Sequence, residues 1–184
     1  MNTSYLILAE GFEEIEALAT VDIMRRGGMD VKTVAITDDV VVAGAHGVPA
    51  VADLTLAEAD LDSAEWIVIP GGLPGATNIA ACKPVCEALV KQVAKGGKVA
   101  AICASPAMVF GPLGIIDGKE ATGYPGTENL CSSAKWVSKP VVTLENIITG
   151  QAPAAATEFA LAIVEKSMGA IVAADVAAGM CLKK

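Results

Sequence analysis

The stretch VAAICASPAMVF, residues 99–110, joins two different patterns. Its first half is an unbroken apolar run, the mark of a strand buried on both faces. Its second half opens on Ser105-Pro106, and proline suits the first helical position, where its missing N–H is not needed. A strand that passes directly into a helix belongs to an α/β chain, and the turn between the two carries Cys103.

The same alternation extends in both directions. YLILA (5–9) reads as a buried strand, followed by a glycine-closed helix, EEIEALATVDIMRRGG (13–28). VKTVAI (31–36) is a second strand, and VVVAGAHGVPAVAD (40–53) a hairpin with turn residues at its centre. WIVIPGG (66–72) is another buried strand, followed by one helix over 78–97 with Pro84 near its first turns. KVAAICA (98–104) leads into a short helix over 105–116. KEATGYP (119–125) gives a strand end and ENLCSSAKW (128–136) a short helical piece. VVTLENIITG (141–150) reads as a hairpin turning at Glu145-Asn146, and helices over 152–169 and 171–180 close the chain. Buried strands alternating with helices predict a doubly wound, mostly parallel sheet with helices on both faces. Without repeats or linker-like stretches, residues 1–184 read as one domain. Such sheets bind ligands beyond the carboxyl ends of their strands. Three distinctive turns fall there: AEGFEE (9–14), IPGGLPGA (69–76) and ICASP (102–106).

Composition narrows the function. With 53% hydrophobic residues among 184, the chain can fill one core, and no run reaches the length of a membrane helix. The N-terminus reads as a strand rather than a signal peptide, which gives the expectation of a cytoplasmic protein. A net charge of −8 without a Lys/Arg cluster argues against nucleic acid or an anionic membrane as partner. The five cysteines, Cys82, Cys86, Cys103, Cys131 and Cys181, are scattered and odd in number, which speaks against a disulfide framework. Cys82 and Cys86 lie four apart in a helical segment and read as small helix residues. His46 is too far away in sequence to complete a metal site with them.

Cys103 stands out by its place. A thiol at a strand-to-helix turn with small neighbours, Ala104 and Ser105, follows the logic of a nucleophile elbow. Helix N–H groups and the dipole there lower a thiol's pKa, so the expectation is an exposed thiolate. The plainer alternative is a buried cysteine acting as a small hydrophobe. His46 is the only histidine, so any local assistant is a carboxylate. Glu10, Glu13, Glu14 and Glu16 crowd the start of the first helix. Dipole complementarity, at ~0.3–1 kcal/mol each, accounts for Glu13 and Glu14. Glu16 shares its helical stripe with Phe12, Ala19 and Ile23, so it faces the sheet. Burial raises its pKa and leaves a neutral acid able to donate a hydrogen bond to sulfur. Gly71 and Gly72, following a buried strand, leave backbone N–H groups open to an oxyanion, or serve only as a flexible turn. The acids make this first turn a poor place for phosphate.

ILAEGFEEIEA, IPGGLPGA, AAICASPA, ATGYP and APAAATEFALAIVE occur in order and span nearly the whole chain. With them the sequence resembles the ThiJ/PfpI superfamily, closest to the branch named for the parkinsonism-associated protein deglycase. That resemblance implies a flavodoxin-like fold and a homodimer. It implies Cys103 as the reactive cysteine, Glu16 as the protonated acid in contact with it, and Gly72 and Ala104 as the backbone donors facing the sulfur. Some members carry a histidine where this chain has Tyr124, and a phenol is a poor base near neutral pH. More distant, protease-like members have histidine directly after the cysteine, where Ala104 stands, which disfavours proteolysis. His46 matches a position near the dimer interface of relatives, from which it approaches the partner's site or simply sits in a solvated hairpin.

The leading functional expectation is a cysteine-dependent enzyme acting on reactive 2-oxoaldehydes or their early protein adducts, without metal or organic cofactor. Turnover is expected to be slow, since a missing proton-transfer partner is worth about 10²–10⁴-fold. The alternative is a redox-responsive stress protein or chaperone that signals through oxidation of Cys103. A non-catalytic small-molecule binder is the third.

Overall fold

The computed structural model describes residues 2–182. Its central sheet holds β1 (Ser4–Leu8), β2 (Val31–Ala35), β5 (Leu54–Thr55), β6 (Trp66–Ile69), β7 (Lys98–Ile102), β10 (Val141–Thr143) and β11 (Ile147–Gly150). Their order is β10-β11-β7-β6-β1-β2-β5. Every neighbouring pair is parallel except β10 with β11, the expected hairpin. A separate antiparallel hairpin, β3 (Val41–Ala43) with β4 (Pro49–Val51), also stands where the sequence placed it. A small parallel pair, β8 (Glu120–Ala121) with β9 (Lys135–Trp136), lies apart from the main sheet.

Period-two alternation divides each strand between two cores. Leu6, Leu8, Trp66, Val68, Ala100 and Ile102 pack on one face with residues of α1 (Glu14–Arg26), α4 (Ala156–Met168) and α5 (Ala170–Gly179). Tyr5, Ile7, Ile67, Ile69, Val99 and Ala101 pack on the other, with residues of α2 (Gly75–Ala81) and α3 (Lys83–Ala94). Helices therefore cover both faces, and the strands read as continuous apolar runs for that reason.

Three local expectations are corrected, and one short strand had no reading in the sequence. The single helix over 78–97 is two helices, broken at Cys82, whose backbone is extended at φ −81 and ψ 93. In one continuous helix, whether begun at 78 or at the observed Gly75, Pro84 would fall in the interior and clash with the Ala80 carbonyl one turn back, whereas it suits the first turn of α3. At the break the Cys86 thiol meets two carbonyls, at 3.4 Å from Ala80 O and 3.7 Å from Ile79 O, the second of which also accepts the Cys82 N–H at 2.9 Å. The helix over 105–116 is only a wide π turn, Pro106–Phe110, closed by the Gly111 N–H on the Pro106 carbonyl at 3.0 Å. Gly111, Pro112 and Gly114 stop it there. ENLCSSAKW keeps one helical turn, Glu128–Leu130, and then becomes β9. The two-residue strand β5 carries no pattern of its own and is held through pairing with Val34 and Ala35.

The topology positions the site. From β1 the chain runs outward through β2 to β5, then crosses back to β6 on the other side of β1 and on to β7. The reversal lies between β1 and β6, the place where open α/β sheets hold ligands. Because β1, β6 and β7 are adjacent, the turns that follow them sit side by side.

Candidate active site

The three turns supply one residue each to a common point. Cys103 leaves β7 in the left-handed region at φ +66, one of two non-glycine residues with positive φ among those described. A bulky residue in that conformation costs about 1–2 kcal/mol, which the surrounding hydrogen bonds must offset. Those bonds are present: the Cys103 N–H donates to Gly150 O at 3.0 Å, and its carbonyl accepts the Tyr124 N–H at 2.7 Å. This is the sharp strand-to-helix turn of a nucleophile elbow, carrying a thiol.

Glu16 lies in the first turn of α1 with no solvent exposure, on the stripe that faces the sheet. Glu13 fixes that turn as the N-cap. Its Oε2 accepts the Glu16 N–H at 2.7 Å, while its own N–H donates to Gly71 O at 2.9 Å. Glu16 Oε2 accepts the Gly71 N–H at 2.8 Å. Gly71 is the point of convergence. A Cβ there would stand 2.5 Å from Cys103 Cβ, 2.7 Å from Glu16 Oε2 and 3.0 Å from Cys103 Sγ. No side chain fits between the acid and the sulfur. Gly72 follows at φ +92, and a Cβ there would run into the backbone of Gly11 and Glu13.

The acid and thiol perturb each other. Burial pushes Glu16 up to about 7, against the opposing pull of its Cys103 contact and the Gly71 N–H. Burial first, and then the charge and contact of Glu16, push the Cys103 thiol up to about 12. The Ala104 and Gly72 N–H groups, which face the sulfur, work in the other direction. The expectation of an exposed, acidic thiol is therefore corrected. Cys103 is 7% exposed, and beside an ionised Glu16 it holds its proton. The physical reason is that two donors and one turn of helix do not outweigh desolvation plus a carboxylate next door. Glu16 Oε1 is buried with no well-aligned hydrogen-bond partner, so the acid retains capacity toward the sulfur or a bound ligand.

The remaining sequence candidates fall outside this cluster. Tyr124 touches the cysteine turn only through its backbone N–H; its ring is exposed, and its phenol has no hydrogen bond among the described residues. His46, at the tip of the β3–β4 hairpin, turns its exposed ring onto Glu14, with Nδ1 2.8 Å from Oε2. Burial opposes charge on Glu14, yet the His46 ring, the His46 N–H and the Val48 N–H together hold it down to about 2. Glu13, Glu14 and His46 form a cluster compact enough for a metal ion, with ligand atoms within 4.8 Å of one another. Its carboxylates are already committed to the α1 cap and to the hairpin. All five cysteines are free; Cys131 is buried with its Sγ 3.4 Å from Ser133 Oγ, and Cys181 is exposed. Sequence reasoning treated Ser105 only as a small residue at a helix start. Its hydroxyl does not cap the helix but reaches across to Pro70 O at 2.6 Å, a contact between turns that only the fold brings together.

The sequence model of the DJ-1/PfpI family matches residues 3–166. A relative from Arabidopsis thaliana, Protein DJ-1 homolog A, is 42% identical over 162 residues, 88% of this chain. The chain spans 41% of that plant protein's length. A Caenorhabditis elegans relative, Glutathione-independent glyoxalase DJR-1.2, is 33% identical over 97% of this chain and 95% of its own. The solved structure of Toxoplasma gondii DJ-1, oxidized, superimposes with a TM-score of 0.94 at 30% identity, covering 100% of both chains.

Proposed function

The chain belongs to the DJ-1/PfpI family, and on that premise we propose that it is a cysteine-dependent enzyme converting reactive 2-oxoaldehydes, free or as early adducts on proteins, to 2-hydroxy acids. One observation carries the proposal: the Cys103 sulfur and the Glu16 carboxyl meet across Gly71, with the Ala104 and Gly72 N–H groups facing the sulfur. A relative named as a glutathione-independent glyoxalase supports the same chemistry.

Near neutrality the pair keeps at least one proton, because two buried negative charges in contact are unfavourable. Ionised Glu16 takes the thiol proton as sulfur attacks the aldehyde carbon, forming a C–S bond, and the carbonyl oxygen becomes an oxyanion. The Gly72 and Ala104 N–H groups stabilise that oxygen, and Glu16 returns the proton to it, giving a hemithioacetal. Glu16 then removes the hydrogen on that carbon as a proton and delivers it to the neighbouring ketone carbon, while the hemithioacetal hydroxyl proton passes to the ketone oxygen through the enediol. The aldehyde carbon is thereby oxidised to a thioester and the ketone carbon reduced to an alcohol, so no external oxidant is needed. Water hydrolyses the thioester, releasing the hydroxy acid and restoring the thiol. Turnover of methylglyoxal to lactate by the wild type, lost in Cys103→Ala and in Glu16→Gln, is the expected result. Equal turnover in Cys103→Ala would overturn the proposal.

A second reading is favoured by the oxidised state of a structural relative. Peroxide oxidises the Cys103 thiolate to sulfenate, releasing water, and a second equivalent gives sulfinate. Protonated Glu16 and the two N–H groups would hold that sulfinate. Absence of turnover, together with client protection that tracks the oxidation state of Cys103, selects this reading. For the partner we propose a second copy of the chain, seated on the apolar residues that α1 and the β3–β4 hairpin expose: Ile15, Leu18, Val41 and Val51. A concentration-independent dimer that Leu18→Glu dissociates is the expected sedimentation result. No helix among the described residues is long and apolar enough to cross a membrane, and five unpaired cysteines fit a reducing, cytoplasmic compartment.

A further inference from the structure

Ser105 is fully buried, adjacent to the residue whose N–H faces the sulfur, and its hydroxyl is spent on the neighbouring turn. It donates to Pro70 O at 2.6 Å. That carbonyl belongs to the same peptide unit as the Gly71 N–H, which donates to Glu16 Oε2 at 2.8 Å. A trans peptide points its C=O and N–H in opposite directions, so anchoring one end aims the other. We infer that Ser105 is a positioning residue for the acid–thiol pair: by gripping the Pro70 carbonyl it holds the Gly71 N–H on the Glu16 carboxyl and locks the cysteine turn to the glycine turn.

Ser105 is tied, through the Pro70–Gly71 peptide, to a closed circuit made by Gly71, Glu16 and Glu13. Ser105 holds Pro70, Gly71 N–H holds Glu16, Gly71 O receives the Glu13 N–H at 2.9 Å, and Glu13 Oε2 receives the Glu16 N–H at 2.7 Å. The Ser105 bond to Pro70 O and the Gly71 N–H bond to Glu16 share one peptide unit, so each polarises the other, a strengthening of about 10–30% in a low-dielectric interior. A serine hydroxyl at a helix start normally caps that helix; here the cap is given up, although the π turn it precedes leaves its first N–H groups without a side-chain partner. The titratable groups that face Glu16 are Cys103 from the turn after β7 and Glu13 from the start of its own helix. Ser105 acts on neither directly, so its effect is read at Glu16.

The inference rests on the site being a working acid–thiol pair, and the test separates the two. The Glu16 carboxyl is followed by ¹³C NMR in glutamate-labelled protein, its signal assigned with Glu16→Gln. Ser105→Ala weakens the Gly71 contact, which favours the ionised acid, and is expected to raise the Glu16 midpoint by about half a pH unit, roughly threefold in the ionisation constant. Ser105→Thr keeps the hydroxyl and is expected to titrate with the wild type. With methylglyoxal, kcat falls in Ser105→Ala while KM holds. Should the alanine variant not fold, Ser105→Gly, which also lacks the hydroxyl, gives the same readout. An unmoved Glu16 midpoint in a folded, hydroxyl-free variant overturns the inference, whether or not the wild type shows turnover. A shifted midpoint with an inactive wild type sustains Ser105 and sinks the enzymatic reading instead.

Discussion

Replacing Glu16 by glutamine tests the centre of the site without reference to any substrate. The native carboxyl titrates at about 7 against an ordinary value of 4.5, with burial as the first cause. Below pH 4.5 both folded and unfolded chains hold the proton, and the residue imposes no pH-dependent cost. Between 4.5 and 7 the unfolded chain releases it while the native chain keeps it, so stability falls as pH rises. Above 7 both are ionised and the penalty is constant. At about 1.4 kcal/mol per pH unit, the full penalty is about 3 kcal/mol. Glutamine occupies the same space, presents a carbonyl to the Gly71 N–H and an N–H₂ to the sulfur, and carries no charge. Urea unfolding of reduced wild type and Glu16→Gln, at matched protein concentration from pH 5 to pH 8.5, isolates the acid and its coupled thiol, because His46 and the other groups not coupled to Glu16 cancel in the difference. The variant is expected to gain on the wild type through that range and to finish ahead by about 3 kcal/mol relative to pH 5. Parallel stability curves would refute the assignment of Glu16 as a buried acid that is neutral below pH 7.

Other expectations concern the neighbours of that pair. Wild-type kcat/KM for methylglyoxal should rise with pH on a limb centred near 7, as Glu16 becomes able to take the thiol proton. A flat profile over pH 6–8 removes Glu16 from that role. Gly71→Ala places a methyl group 2.5 Å from Cys103 Cβ and 2.7 Å from Glu16 Oε2, and should cost about 1–3 kcal/mol and most of the turnover. Unchanged kinetics in that variant would show that the gap is not needed. Glu14→Gln should destabilise the protein at pH 7 but progressively less in acid, since the Glu14 contacts with His46 are present above 4.5 and fade as pH falls toward about 2. A stability difference that grows in acid contradicts the ion pair. Asp53→Ala removes the acceptor shared by Arg25, the Thr33 N–H and the Thr33 hydroxyl, at 2.6, 2.7 and 2.9 Å, and should cost about 1–3 kcal/mol in urea unfolding.

The strands were legible because burial on both faces leaves an unbroken apolar run, and both hairpins because turn residues punctuate alternating segments. Glu16 was separable from Glu13 and Glu14 because only it shares a helical stripe with Phe12, Ala19 and Ile23, and the structure buries it completely. The break at Cys82 was signalled by Pro84, which marks the first turn of a second helix rather than the early part of a single one. Pro84 does not fit the interior of a helix running through from 78, whose Ala80 carbonyl it would meet, but it suits the first turn of a helix that begins at Lys83. β5 exists through its neighbour, and Ser105 acquires its role from a carbonyl 35 residues away in sequence. What a turn offers along the chain was readable; what another turn lays over it was not.

The state of the sulfur shows the same division. Sequence identifies a thiol at a helix start, and the local donors do favour its anion: the Ala104 and Gly72 N–H groups lower its pKa. The fold then closes Glu16 over it with no solvent between, and sets desolvation and a like charge against those donors. The outcome depends on which group is charged. Beside a carboxylate the thiol is pushed up to about 12, whereas beside the neutral acid the Glu16 charge is gone and its O–H can donate to the sulfur. A buried pair of this kind resists holding two negative charges, and near pH 7, with the acid half-ionised, it keeps at least one proton. That is what a nucleophile needs if it is to stay inert in an empty site and lose its proton only as it attacks: the base is in contact, half-ionised at neutrality, and aimed by the Gly71 N–H. Reactivity in this protein is accordingly a property of the pair, and alkylation of Cys103 should follow the ionisation of Glu16, with its midpoint near 7, rather than that of a free thiol.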